Sequence, residues 1–292
     1  MPNGWGRLSY ANGGSYAGGW LNGEKHGRGE EIYADGDEYF GDWLTDARSG
    51  YGKYTGANGN EYIGDFHQDL MHGQGRHTYP DGDEYVGSFS NGMRHGVGKR
   101  KYADGDVYKG EWAGGEMHGP GVMEFSDGRT YDGNWADGIM DGRGKYRWPT
   151  GDMYKGDYKT GMQAGNGKFT FADGTVYDGG FYNDMKSGHG TCTYTNGDRY
   201  EGNWRHDMKD GEGVMRYANG DEYDGMWERD RQDGDGIFYY ADGRVYRGHY
   251  DDGEQTTKNM TYADGSEHTV NAINLLSPRD IDLRYLNPDA PF

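Results

Sequence analysis

A single cysteine, Cys192, stands in 292 residues, so no disulfide framework holds this chain. No run approaches the ~18 apolar residues that a membrane-spanning helix requires. The first residues, Met1-Pro2-Asn3-Gly4-Trp5, have neither the basic stretch nor the apolar core of a signal peptide, so the expectation is a cytoplasmic protein. Positive charge is scarce: 30 Lys and Arg stand against 49 Asp and Glu, a formal net charge of −19. That balance disfavours nucleic acid and anionic lipid as whole-surface partners. Apolar residues are few, at 33%, a level that with so much charge ordinarily argues for disorder.

What is abundant is glycine, 56 residues, and aromatic side chains, 15% of the chain. They are periodic. A tyrosine opens the pattern Tyr-x-Gly-x-aromatic at Tyr16 and returns every 23 residues at Tyr39, Tyr62, Tyr85, Tyr108, Tyr131, Tyr154, Tyr177, Tyr200, Tyr223 and Tyr246. The second aromatic is Trp20, Trp43, Phe66, Phe89, Trp112, Trp135, Tyr158, Phe181, Trp204, Trp227 and Tyr250. Self-similarity at a fixed period defines a repeat architecture and overrides any domain count from length. The chain divides into an array over 1–250 (a partial repeat 1–15, then eleven units), a degraded capping repeat 251–268 and an apolar tail 269–292.

One unit reads as two strands. Tyr85-Val86-Gly87-Ser88-Phe89 alternates, as does Gly73-Gln74-Gly75-Arg76-His77-Thr78-Tyr79 before it. Pro80-Asp81-Gly82 between them suits a type I turn ending in a left-handed glycine, the three-residue hairpin loop with a bulge. With Tyr79 and Asp83 as the closing pair, His77 faces Tyr85, Gly75 faces Gly87 and Gly73 faces Phe89. The aromatic rings and paired glycines then share one face, and the glycines form lanes in which the rings lie. The other connection, Ser90 to His95, reads as longer, with Gly or Asp at position 92 and its equivalents. The fold class is therefore all-β: an elongated single-sheet antiparallel hairpin array, a twisted rod or trough with an extended C-terminal tail. At ~4.8 Å per strand, each unit advances roughly 10 Å.

The spacing Tyr-x-Gly-x-aromatic-x-x-Gly-x-x-His-Gly-x-Gly resembles the MORN repeat (membrane occupation and recognition nexus). The histidine is kept at His26, His72, His95 and His118 and replaced later, by Asp141, Ala164 and Ser187 among others. The resemblance implies a non-enzymatic scaffold. Similar arrays occur in radial-spoke heads, other parts of cilia and flagella, and cytoskeletal structures, so a cilium or axoneme location follows as an expectation. MORN proteins are also linked to phosphoinositides and membrane junctions, and some arrays regulate lipid kinases or a methyltransferase.

No catalytic constellation, cofactor motif or metal site is expected. The Gly-x-Gly pairs precede strands rather than helices, and Gly-Lys pairs lack a following Ser or Thr. Equivalent histidines lie one repeat apart, ~10 Å by strand spacing, so one ladder cannot supply two ligands to one ion. Candidate partner-binding residues fall into three groups. Phe40, Ile63 and Val86 make an outward apolar stripe beside a basic patch of Lys99, Arg100, Lys101 and Lys109, with Lys99 opposite Lys109. Met71, Met117 and Met140 form a column at the longer turns, either recognising partners or folding back over the rings. Leu275, Leu276, Ile281, Leu283 and Phe292 in the tail suit either a plug over the last strand or a docking segment. The expected partners are other proteins of a large assembly. The open first edge also allows edge-strand pairing or a homo-oligomer.

Overall fold

A computed structural model describes residues 1–256 together with the short strands Asn259–Thr261 and Glu267–Thr269. Every regular element among the described residues is a strand. The chain forms two compact units, Met1–Met162 and Gln163–Phe292. Within each, consecutive strands pair antiparallel with their chain neighbours, as an open meander of hairpins.

The unit around Tyr85 shows the construction. Its strand Glu84–Ser90 pairs on one side with Leu70–Thr78, with His77 opposite Tyr85, Gly75 opposite Gly87 and Gly73 opposite Phe89. The connection between them closes as the sequence suggests: Tyr79 N donates to Asp83 O at 2.9 Å, Gly82 N donates to Tyr79 O at 3.0 Å, and Gly82 has φ +97°. On its other side the strand pairs with Met93–Lys101.

That second connection departs from the expectation of a longer loop. Ser90 pairs directly with Met93, leaving Asn91 (φ 50°) and Gly92 (φ 82°) as a two-residue turn with both residues left-handed. This is the hairpin turn whose twist matches that of the strands. The tightness is hidden in sequence because the two arms are unequal, seven residues against nine. The surplus is absorbed by a bulge: Gly87 faces Gly98 and Phe89 faces Arg94, so Ser88 stands opposite three residues.

The bulge sets up the core. Tyr85 lies flat across Gly87 and Gly98, where a Cβ on Gly98 would sit 2.2 Å from its hydroxyl oxygen. The hydroxyl then donates to the Ser88 carbonyl at 2.9 Å, a group that the bulge leaves without a ladder partner. The same bond recurs from Tyr16 to Gly19, Tyr131 to Asn134 and Tyr223 to Met226. Rings then interlock edge to face within a unit (Tyr85–Phe89, 5.0 Å) and with the next (Tyr85–Trp112, 5.3 Å). Trp112 Nε1 donates back to Gly98 O at 3.3 Å. The tyrosines that open the eleven units are essentially inaccessible, although no second layer of elements is present among the described residues.

Beyond Tyr246 the period shortens by one residue: Tyr246 pairs with Met260 and Met260 with His268, whereas Tyr85 pairs with Arg100 and Arg100 with Tyr108. The tail candidates Leu275, Leu276, Ile281, Leu283 and Phe292 lie outside the described residues.

Candidate binding surfaces

The two sheet faces differ completely. On the outer face, opposite the rings, directly paired residues form a row across the first unit: Phe40, Lys53, Ile63, Arg76, Val86, Lys99 and Lys109. Apolar and basic side chains alternate along it from Phe40 to Lys99. Phe40 and Val86 remain 53% and 46% exposed. Arg28 sits 5.1 Å over the Phe40 ring. Acids flank the row: Lys53 Nζ lies 2.6 Å from Glu61, Arg76 reaches Glu84 at 3.6 Å, and Lys109 reaches Glu124 at 3.1 Å. Lys99 faces Lys109 across the hairpin, an unfavourable juxtaposition of like charges. Among the described residues neither Lys99 nor Lys101 makes an ion pair.

Arg100 does not belong to this patch. Alternation turns it to the aromatic face, opposite Tyr85 and Tyr108, where its Nε donates to Asp83 at 3.0 Å and its guanidinium covers Tyr102 at 4.3 Å. Arg100 is half-buried and its partner Asp83 is buried. Grouping it with Lys99 and Lys101 by proximity in sequence ignored the two-residue period of a strand.

The methionine column is also placed differently from a turn surface. Met71, Met117 and Met140 lie within strands opposite Phe66, Trp112 and Trp135 and are half-buried. Their carbonyls accept from the next tight turn, at Gly92, Gly138 and Gly161. They share this position with cations. Lys25, Arg94, Lys186 and Lys209 stand there in other units, each 4.2–4.6 Å over the second aromatic of the following unit. Burial pulls the Lys209 amine below its ordinary range. Where the next turn carries Asp instead of Gly, its carboxylate accepts the backbone N–H here: Asp46 from Lys25 at 2.7 Å, Asp230 from Lys209 at 2.9 Å. The available signal was the pairing, 21 residues apart, of Met71, Met117 and Met140 with Gly, and of Lys25, Arg48, Gln163, Lys186 and Lys209 with Asp; Arg94 with Gly115 and Gln232 with Gly253 depart from it.

No helix among the described residues is long and apolar enough to cross a membrane. None of their His, Cys, Asp and Glu side chains cluster in threes as metal ligands.

A sheet of identical hairpins, roofed on one face by its own rings and open on the other, is a repeat scaffold. The MORN repeat matches ten times, at residues 16–38, 39–61, 62–84, 85–107, 108–128, 131–153, 154–176, 177–199, 200–222 and 223–243. The chain belongs to the MORN-repeat family. The unit opened by Tyr246 lies beyond those matches, yet Tyr246 and Tyr250 are as buried as their counterparts. No curated protein matches the chain. Among solved structures, the wild-type TCP10 domain of Danio rerio CPAP is similar at 13% identity and a TM-score of 0.22, covering 91% of this chain and 100% of that one. The SAS-4 (dCPAP) TCP domain of Drosophila melanogaster, in complex with a proline-rich motif of Ana2 (dSTIL), is similar at 14% identity and a TM-score of 0.26, covering 68% and 88%. A streptogramin B lyase is similar at 10% identity and a TM-score of 0.15, covering 94% and 85%.

Proposed function

We propose that this chain is a non-enzymatic scaffold that holds other proteins of a large assembly against its outer face, in a radial-spoke-like part of a ciliary axoneme or another cytoskeletal structure. The observation that supports this reading is the row from Phe40 to Lys109. Its apolar members bury area on contact, and its cations select an acidic segment and orient it. Among the described residues Lys99 and Lys101 lack ion-pair partners, and they gain most from a carboxylate arriving there. The tyrosine-glycine interlock makes the surface rigid without occupying this face, so recognition costs little ordering of the scaffold.

The test is affinity purification from ciliated cells with the wild-type chain and with a Lys99→Glu, Lys101→Glu variant, followed by mass spectrometry. Axonemal or cytoskeletal chains should co-purify with the wild type and fall at least ~10-fold with the variant, about 1.4 kcal/mol or more. Recovery of a soluble enzyme alone, or equal recovery by both chains, overturns the proposal. Sedimentation with anionic and neutral liposomes separates the lipid alternative. Salt-sensitive binding to anionic vesicles, abolished by the same reversal, would transfer the basic row from protein to membrane recognition.

A further inference from the structure

The ring at the three-residue turn is present in every unit but one. Tyr10 and Tyr33 hold the position, then Gly56 interrupts it, and Tyr79 resumes it through to Tyr240. The intact units show where that ring belongs. It packs on the residue two before it (Tyr79 on His77 at 4.0 Å, Phe171 on Phe169 at 4.5 Å). It approaches the residue fifteen after it (Tyr10 and Lys25, 5.9 Å). It also meets the residue twenty-one after it: the Tyr10 hydroxyl donates to Glu31 at 2.9 Å, and Tyr217 faces Phe238 at 6.0 Å. For position 56 those three residues are Tyr54, Met71 and His77. All three line a groove of about 530 Å³ on the aromatic face of the first unit.

Two polar atoms in the same groove lack partners among the described residues. His77 Nδ1, at the place where Glu31 receives the Tyr10 hydroxyl, is buried without a hydrogen bond. So is Asn60 Oδ1. In other units the side chain equivalent to Asn60 accepts the backbone N–H twenty residues on, as Asp83 does from Ala103 at 2.8 Å and Asp37 from Ala57 at 3.0 Å. Twenty residues after Asn60 stands Pro80, which has no N–H to give. A missing ring, a missing donor and two unmet acceptors thus coincide at one place. Buried acceptors left unmet are costly and native proteins keep few of them.

We propose that this groove receives the side chain of a tyrosine on an extended segment of a partner protein, seated where the ring of residue 56 would lie and donating its hydroxyl to His77. Tyr33, Tyr54 and Phe66 supply aromatic walls. Burial and the nearby Arg94 hold the His77 imidazole below its ordinary pKa, so it is neutral and able to accept. Among the residues lining the groove, the carboxylates of Asp35, Asp37 and Asp69 outnumber the guanidinium of Arg48, which favours Lys or Arg beside the tyrosine. The site rests on the scaffold reading but lies on the opposite face from the basic row.

The experiment uses the full chain and p-cresol, the tyrosine side chain cut at Cβ, with toluene as its apolar twin. Saturation-transfer NMR should show p-cresol binding, about 5-fold tighter than toluene, as expected for one hydrogen bond. Gly56→Tyr, which fills the groove from within, should weaken p-cresol at least ~10-fold, a loss of about 1.4 kcal/mol. His77→Leu should bring the two probes level. Phage-displayed peptides selected on the wild type should carry Tyr beside Lys or Arg, and lose binding to Gly56→Tyr but not to Lys99→Glu. Unchanged p-cresol binding by Gly56→Tyr overturns the site, as do selected peptides indifferent to that change. Peptides lost on Lys99→Glu alone would overturn the groove and leave the outer-face scaffold standing, whereas loss of neither points against both.

Discussion

The Tyr85 hydroxyl carries a burden out of proportion to one hydrogen bond, because the Ser88 carbonyl it satisfies has been released by the bulge and faces the ring layer. Tyr85→Phe should therefore cost about 1–3 kcal/mol, the range for a buried group left unmet, read as a shift in the urea midpoint. Gly98→Ala should cost at least as much. Its Cβ would fall 2.2 Å from the Tyr85 hydroxyl and 2.4 Å from Cζ, and forcing a ring aside in a packed layer costs about 1–3 kcal/mol. Val97→Ala, next door on the outer face and 70% exposed, should be nearly silent. Burial also pushes the Tyr85 and Tyr131 phenols up to about 12 from 10.0. Since the folded value is the higher one, stability is fully present below pH 10 and is lost as pH rises from 10 through 12. Tyrosinate absorbance and unfolding should therefore move together over that window, where exposed tyrosines would ionise first. The ring layer was legible in sequence because a glycine at every second strand position has few explanations. The hydroxyl's partner was not, since it depends on a bulge whose size comes from the count of residues on two strands.

Each hairpin is tied to the next through the tight turn, an element that is poorly legible in sequence. Strands of seven and nine residues do not suggest direct pairing, although Gly or Asp at the second turn position points to left-handed backbone. For the same reason Met71, Met117 and Met140 read as turn residues, although they lie in the strands beneath. Two combinations recur in coupling the elements: Met with Gly, as in Met71 and Gly92, and a cation with Asp, as in Lys209 and Asp230, while Arg94 with Gly115 and Gln163 with Asp184 mix them. In the second set the Lys209 amine lies 4.2 Å over Trp227 while Asp230 holds its backbone N–H. Asp230→Gly has opposing effects, losing that bond but relieving a φ of 71°. Lys209→Met loses a cation–π contact of about 0.5–2 kcal/mol but also the burial of an amine. A double-mutant cycle on Lys209→Met and Asp230→Gly should return a coupling of about 0.5–1 kcal/mol, with the pair destabilised less than the sum of the singles. Strict additivity by thermal and urea unfolding would show the two choices to be independent.

Across the molecule, charge is distributed unevenly over equivalent positions, and this decides where an acidic partner can bind. In the first unit the outer row holds Lys53, Arg76, Lys99 and Lys109. In the second unit the same register runs Lys168, Asp178, Thr191, Glu201, Val214, Asp224, Ile237 and Arg247. The net charge of −19 therefore conceals one row that attracts carboxylates and another that repels them. The repeat made the row's composition legible from sequence, and strand alternation alone separates Arg100 from it, while the groove at Gly56 emerges only with the side chains in place. An acidic segment captured through the first unit should lose affinity when Lys99 and Lys109 are both changed to Glu. Reversal of Arg247, at the equivalent register in the second unit, should leave it unchanged. Because these cations are solvent-facing, binding should weaken steadily as ionic strength rises from 0.05 to 0.5 M, chiefly through the on-rate, measured by surface plasmon resonance. An affinity indifferent to salt, or equally sensitive to Arg247→Glu, would mean that the apolar members Phe40, Ile63 and Val86 do the recognising and the cations only keep the face soluble.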